Sequence, residues 1–421
     1  MLFVYRIIIN IIFILSPIII IYRLFKKKED STRFKEKFCF FSKKKVKGKL
    51  IWIHGASVGE ILSIIPVVEK LEKNKKIKQI LITSNTLSSS KILSNLKLKK
   101  TIHQFFPIDT KINSIKFLEY WKPSIAIFVD SEIWPNMIIS IKKKTIPLIL
   151  LNARITKKSF IRWFKIPSIS RKIFQSFDTC LTSNEQSRKY LRILGAKNIK
   201  YIGNLKYSQS EKEEYTLNHN LKKQFLSRTI WCASSTHDGE EKFCAQVHKK
   251  LKSKYKNLLT IIIPRHVERI DKIKNEMKKL DLNTHVHNSK NKINKNTDIY
   301  LVDSYGKTKS FFKVNKIVFL GGSLIEHGGQ NPLEAARYGC NIVHGPNVWN
   351  FEEIYDLLKK FKISNKVKNI NQMIKIIRIL LDKRNNYKNI KSKINNLGNK
   401  VLNNTFKEIN LLIKNDEIKK T

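Results

Sequence analysis

The segment 316–350, KIVFLGGSLIEHGGQNPLEAARYGCNIVHGPNVWN, constrains the fold more than any other part of the chain. An apolar β-branched run, Ile317-Val318-Phe319-Leu320, ends in Gly321-Gly322-Ser323. A helix start follows at Asn331-Pro332-Leu333-Glu334, and a second short strand, Asn341–His344, comes at βαβ distance. Two strands joined through a helical crossover lie parallel. The same layout brings a glycine turn's backbone N–H groups and a helix N-terminus to an anionic ligand. Two readings stay open. In one, Gly322, Ser323, Asn331, Pro332, Leu333 and Glu334 hold a nucleotide, with the Glu334 carboxylate accepting from ribose hydroxyls. In the other, Asn331 as N-cap, Pro332 at N1 and Glu334 at N3 only start a helix.

The alternation runs through most of the chain. A buried-type strand at 50–54 leads into a turn at 55–60 and an amphipathic helix at 61–74. Further strands are expected at 77–83, 124–129, 148–152, 179–182 and 199–202. The pattern then restarts with a strand at 229–233, a turn at 234–239, a helix at 240–254 and a strand at 258–263. Strands near 298–302 and 316–320 follow. Strands alternating with helices predict parallel, doubly wound sheets. At 421 residues the chain is too long for one core, and two runs changing over near 203–214 predict two Rossmann-like α/β domains facing a cleft, at 26–210 and 211–421. From 365 onward the sequence reads as Lys/Asn-rich helices with a charged tail.

Lys+Arg 82 against Asp+Glu 33 leaves 82 − 33 = +49. A charge of that size suits nucleic acid or an anionic membrane. Here it is spread in short runs from Lys26 to Lys420 and singles out no partner. Cys39, Cys180, Cys232, Cys244 and Cys340 show no CxxC spacing, which points to a reducing compartment and away from zinc or disulfides. Residues 2–25 are almost wholly apolar, broken by Arg6, Asn10, Ser16, Pro17 and Arg23. A stretch of ~20 apolar residues spans a bilayer, while the arginines and Pro17 leave room for an interfacial helix. No small-residue cleavage site closes it, and Lys26-Lys27-Lys28 follows at once. Residues 1–25 are therefore read as a membrane anchor, with the body on the cytoplasmic side.

Seven segments in order carry a family resemblance: WIHGASVGE (52–60), DSEIWPN (130–136), LLNARIT (150–156), GNLKY (203–207), STHDGEE (235–241), PRHVER (264–269) and GGQNPLEAA (328–336). The series resembles that of the 3-deoxy-D-manno-octulosonic acid (Kdo) transferases. The resemblance implies a GT-B glycosyltransferase fold at the inner membrane. It implies transfer of Kdo from CMP-Kdo to the lipid A precursor, lipid IVA, in lipopolysaccharide core biosynthesis. The partners it implies are CMP-Kdo, the lipid A precursor and membrane lipids; no nucleic acid, no cofactor and no metal at the transfer site are expected. By the same resemblance Glu60 is the proton acceptor, and Asp130 and Lys206 stabilise the transition state. Pro264, Arg265, His266, Tyr305, Gly306 and Lys307 join Asn331-Pro332-Leu333-Glu334 at the CMP. Family members usually carry glutamate where Asp130 stands, one methylene longer.

The residues by themselves also admit plainer roles. Ser57-Val58-Gly59-Glu60 is a capping box, and a helix N-terminus lowers a carboxylate's pKa. Lys206 is one lysine among many. Asp130-Ser131-Glu132 resembles the metal-holding D-x-E of the other glycosyltransferase fold. His237-Asp238 suits metal or acid–base chemistry, or is structural, with Thr236 capping the helix that begins at Glu240. The rival functions are a nucleotide-sugar epimerase of the same fold and a basic, non-catalytic membrane or nucleic-acid-binding protein. The epimerase needs no anchor, and the basic protein leaves the carboxylate motifs unexplained.

Overall fold

A computed structural model describes residues 2–96, 98–208, 216–287, 293–382 and 388–418, so part of the expected changeover and the end of the charged tail lie outside the described residues. The chain divides into two compact units: Met1–Ser210 with Asn396–Thr421, and Glu211–Asn395.

The first unit holds strands β1 (Lys49–His54), β2 (Ile77–Ser84), β3 (Thr101–Phe105), β4 (Ile125–Val129), β5 (Leu148–Ala153), β6 (Thr179–Thr182) and β7 (Ile199–Tyr201). They form one parallel sheet in the order β3-β2-β1-β4-β5-β6-β7. Central strands such as Ile-Ala-Ile-Phe-Val of β4 are buried at every residue, as a parallel sheet covered by helices on both faces requires. Five helices of this unit open on Ser57, Thr86, Thr110, Thr156 or Asn184, each side chain accepting from the N–H three residues on. Those caps satisfy donors that a helix start leaves orphaned.

The second unit repeats the plan with β8 (Thr229–Thr236), β9 (Leu258–Pro264), β10 (Thr284–Val286), β11 (Ile299–Leu301), β12 (Ile317–Leu320), β13 (Asn341–His344) and β14 (Ser364–Lys366). Its order is β10-β11-β9-β8-β12-β13-β14, again parallel throughout. Of the fourteen strands among the described residues, eleven stand where the sequence places them. Three do not announce themselves: β3 begins Thr-Ile-His-Gln, while β10 and β14 are three-residue strands at the sheet edges. Their hydrogen bonds come from the neighbouring strand, not from an apolar pattern of their own.

One boundary differs from expectation. The helix Lys388–Ile418 belongs, from Asn396 onward, to the first unit, so that the second unit ends well before residue 421. The reason is a set of contacts inside the first unit: Lys200 pairs with Glu408 at 2.7 Å, Lys70 bonds Asn403 at 3.0 Å, and the Lys70 ammonium sits 4.4 Å from the Phe406 ring centre. Gly398 lets this helix touch the Tyr207 backbone, where a Cβ would collide with the Tyr207 carbonyl.

Gly398→Val should therefore destabilise the protein by about 1–3 kcal/mol through overpacking. Asn403→Ala, which removes only an exposed bond, should change stability by less than about 0.5 kcal/mol. Urea unfolding of both variants checks the contrast; equal midpoints would contradict the close approach.

Candidate active site

In the first sheet the build direction reverses between β1 and β4, and in the second between β8 and β12. Open α/β sheets bind ligands beyond the carboxyl ends of the strands at such switch points.

Beyond β1, the Ser57 hydroxyl accepts from the Glu60 N–H at 3.3 Å and donates to Glu60 Oε1 at 2.8 Å. The Ala56 N–H donates to Glu60 Oε2 at 2.7 Å. The Ser57 half of the capping box is thus made, while the Glu60 carboxylate reaches past the cap to the N–H of Ala56, and neither bond leaves Glu60 weakly basic. Burial, and then the neighbouring Glu132 and Asp130 carboxylates, push Glu60 up to about 7 against the bonds from Ser57 and Ala56. The expected lowering by the helix terminus is outweighed by lost solvation and like charge.

Beyond β4, Asp130 adopts φ 56°, left-handed backbone that aspartate tolerates better than most residues. Asn152, itself at φ 55°, donates its Nδ2 to Asp130 Oδ1 and accepts from the Leu205 N–H at 2.9 Å. One amide therefore ties the loop after β4 to the turn Leu205–Ser208 that carries Lys206. Burial raises the Asp130 carboxyl, while Lys206, the Asn152 bond and Arg154 pull it down. Glu132 accepts from Trp134 Nε1 at 2.8 Å and lies 3.2 Å from His54 Nε2. Four of the sequence segments converge here and bring Glu60, Asp130 and Lys206 together. Asp130 and Glu132 turn toward these partners; among the described residues no three His, Cys, Asp or Glu side chains are grouped to hold a metal ion.

In the second unit the glycine turn differs from expectation. Its N–H groups, expected to cradle a phosphate, bond an internal carboxylate. Glu240 accepts from Gly322 at 2.7 Å, Leu324 at 3.0 Å, Ser323 at 3.2 Å and His237 at 3.0 Å. Burial raises the Glu240 carboxyl, and these four bonds oppose it. At Gly321 a Cβ would lie 2.6 Å from Thr236 Cα and 2.8 Å from the Glu240 carboxylate, which leaves glycine as the residue that fits. The Ser323 hydroxyl donates to the Leu320 carbonyl and accepts from the Gly345 N–H at 2.9 Å, stapling the ends of β12 and β13. Nor does Thr236 cap the following helix: its hydroxyl is buried without a partner, and the helix opens on Gly239. Asp238 and Glu241 both bind Arg269, which makes the acidic part of STHDGEE structural.

What surrounds the turn is a group of basic side chains. The His237 ring is 4.3 Å from His327 and 5.8 Å from His266. Burial, then His327, His266 and Arg265, hold His237 down to about 4, so it is uncharged near neutral pH. Arg265 and His266 are exposed just past β9, which ends at the buried Pro264. Tyr305 donates to Glu268 at 3.1 Å and accepts from the Val267 N–H at 3.4 Å, which brings Tyr305-Gly306-Lys307 to the same loop. Buried polar atoms collect at these strand ends without protein partners: Ser234 Oγ, Thr236 Oγ1, His237 Nε2, Asp303 Oδ1 and Ser304 Oγ. A polar ligand would satisfy them.

The segment Asn331-Pro332-Leu333-Glu334 is held near the same turn, since the Gly329 N–H bonds the Gly322 carbonyl at 2.8 Å. Its helix, Leu333–Arg337, has five residues and starts on Pro332, with Asn331 Oδ1 accepting from the Leu333 N–H at 3.2 Å. Pro332 is thus the cap and not the first helical residue, and so short a helix has little dipole to offer an anion. Leu333 is buried, and Glu334 is half-buried. The sequence assigned no role to Asn152, Arg154, His54 or His327, and read Glu240 only as a helix start.

The family described as "3-Deoxy-D-manno-octulosonic-acid transferase (kdotransferase)" matches residues 32–209. The 3-deoxy-D-manno-octulosonic acid transferase of Rickettsia bellii is 33% identical over 381 residues, 89% of this chain and 90% of its own length. That of Haemophilus influenzae is 30% identical over 359 residues, 84% of this chain and 83% of its own. Among solved structures, UDP-GlcNAc 2-epimerase from Neisseria meningitidis aligns with a TM-score of 0.58 at 13% identity, over 85% of this chain and all (100%) of that one. The last likeness shows the fold alone: two parallel-sheet α/β domains of the GT-B kind.

Glu240→Ala would strand four backbone donors, each costing about 1–3 kcal/mol if left buried and unpaired. The variant should unfold its second unit earlier. Calorimetric unfolding checks this; an unchanged transition would show that other contacts hold the turn.

Proposed function

The chain belongs to the 3-deoxy-D-manno-octulosonic acid transferase family, a family of glycosyltransferases, and from that premise we propose that it moves Kdo from CMP-Kdo to the lipid A precursor at a membrane surface. The observation that carries the mechanism is Glu60, a carboxylate with its pKa near neutrality, set beside Asp130 and Lys206.

In this reading Glu60 takes the proton of an acceptor hydroxyl as its oxygen bonds the anomeric carbon of Kdo. The bond from that carbon to the phosphate oxygen breaks, and CMP leaves with the electron pair. A base with pKa near the working pH combines a useful ionised fraction with real basicity. Asp130, held by Asn152 and flanked by Lys206, supplies negative charge for the oxocarbenium-like centre. In the second unit, Arg265 and His266 supply donors for the leaving phosphate, and the orphaned atoms of β8 and β11 suit ribose and base. Protein cations then do the work a metal does elsewhere, so activity is expected to need none. The apolar helix Leu2–Phe25 supports membrane attachment. The epimerase reading has nothing in its favour beyond the shared fold.

The deciding experiment incubates purified protein with CMP-Kdo and lipid A precursor and reads the product by mass. No mass increment on the lipid would overturn the proposal. In the same assay Glu60→Gln should lose ~10²–10⁴-fold in rate while keeping CMP affinity. Turnover near wild type would return Glu60 to a capping role.

The pH profile has a definite sign. A base works deprotonated, so kcat/KM should rise with pH through about 7. Glu132→Gln removes one cause of the raised pKa and should move that limb to lower pH. A limb that stays put would show that another group sets it. Activity should also survive EDTA; loss on chelation that Mg²⁺ restores would put a metal at Asp130 and Glu132.

A further inference from the structure

The apolar helix is docked on the first unit through one face. Its least exposed residues include Tyr5, Arg6, Ile9, Phe13, Ser16 and Ile20, the three- and four-residue spacing of one helix face. Tyr5 donates to Asp109 at 2.7 Å, and Arg6 Nε donates to Asn136 Oδ1 at 3.0 Å. Phe13 meets Phe38 edge to face at 5.6 Å between centroids, and Leu2 packs against the core of the unit. Ser16 donates to the Phe13 carbonyl at 2.6 Å, the group that Pro17 leaves without its helical donor. Apart from Asn10, the polar groups that make an uninterrupted span awkward lie on this docked face or at the helix end.

The opposite face is apolar. Of the 26 large hydrophobic side chains exposed among the described residues, 13 belong to this helix. Phe3, Ile14 and Phe25, exposed by 72%, 73% and 83%, lie eleven residues apart and therefore on one line along it. The exposed apolar arc covers more than half of the circumference, wider than the stripe a helix in a protein groove presents. Lys26, Lys27 and Lys28, exposed at its end, suit anionic headgroups. We infer that the helix Leu2–Phe25 lies in the plane of one membrane leaflet, its outer face in lipid and its inner face docked on the first unit, and does not cross the bilayer. The inference rests on the proposed membrane attachment and specifies its geometry. A crossing helix would have to give up the Tyr5–Asp109 and Arg6–Asn136 bonds and expose Asp109, which also accepts from the N–H groups of Asn136 and Met137. An in-plane helix keeps them all, with its outer face sunk ~5–10 Å.

The test uses depth. The five native cysteines are buried, so full-length variants Phe3→Cys, Ile14→Cys and Phe25→Cys can each carry one environment-sensitive fluorophore. The proteins are bound to vesicles of phosphatidylethanolamine and phosphatidylglycerol, with nitroxide quenchers placed near the headgroup or near the chain end. All three labels should be quenched to a similar extent by the shallow quencher and little by the deep one. A label at position 14 quenched by the deep group, with positions 3 and 25 at opposite surfaces, would overturn the in-plane geometry while leaving membrane attachment standing. Protein that stays in solution would overturn attachment itself; if its three labels are buried in a dimer, a second copy covers this face.

Discussion

Three carboxylates, Glu60, Asp130 and Glu132, are crowded at the carboxyl end of one parallel sheet, and much of the surrounding structure offsets their repulsion. Each is matched by donors from a different strand end, Ala56 and Ser57 for Glu60, Asn152 for Asp130 and Trp134 for Glu132, and the charges of Lys206 and Arg154 add to the match at Asp130. The match is incomplete for Glu60, which keeps its proton to about 7. Full neutralisation by a lysine would hold the group ionised and leave it a poor base. Burial first, and then the remaining repulsion from Glu132 and Asp130, gives it a near-neutral pKa.

The second unit solves a similar problem in the opposite sense. There a single carboxylate, Glu240, is buried against four N–H donors of its own chain. It fixes the Gly321–Ser323 turn in one conformation and takes up the turn's N–H groups within the unit. His237 stays uncharged among cationic neighbours, so its orphaned Nε2 can meet a polar group without adding a charge.

The sequence carried the fold well, because buried parallel strands and capped helices leave strong local patterns. It carried the edges poorly: β14 is Ser-Asn-Lys, a strand only by virtue of pairing with β13. Glu60, Asp130 and Lys206 were legible through ordered motifs, and their convergence is tertiary. Asn152 joins residues 22 and 53 positions away, a link that no local pattern encodes. Glu240 illustrates the reverse error. A glycine turn next to a helix start looks the same whether its donors face a phosphate or a glutamate from another strand end, and only the packing of Gly321 against β8 distinguishes the two.

Asp109 connects the chemistry to the N-terminal helix. Its carboxylate accepts from the first N–H groups of the helix Pro135–Lys143, and its backbone carbonyl accepts from Asn136 Nδ2 at 2.7 Å. Asn136 closes the same DSEIWPN loop that holds Asp130 and Glu132, and it receives Arg6 from the apolar helix. Two bonds thus separate the docked face of this helix from the loop that carries Asp130 and Glu132. Removing the helix would take Tyr5 from a buried carboxylate and Arg6 from that loop, so its loss would disturb the site and not only the attachment. On the proposed reading, a lipid acceptor reaches the chain from the membrane plane, and a helix bonded to the DSEIWPN loop holds that loop at a constant height above the plane, which a flexible tether would not.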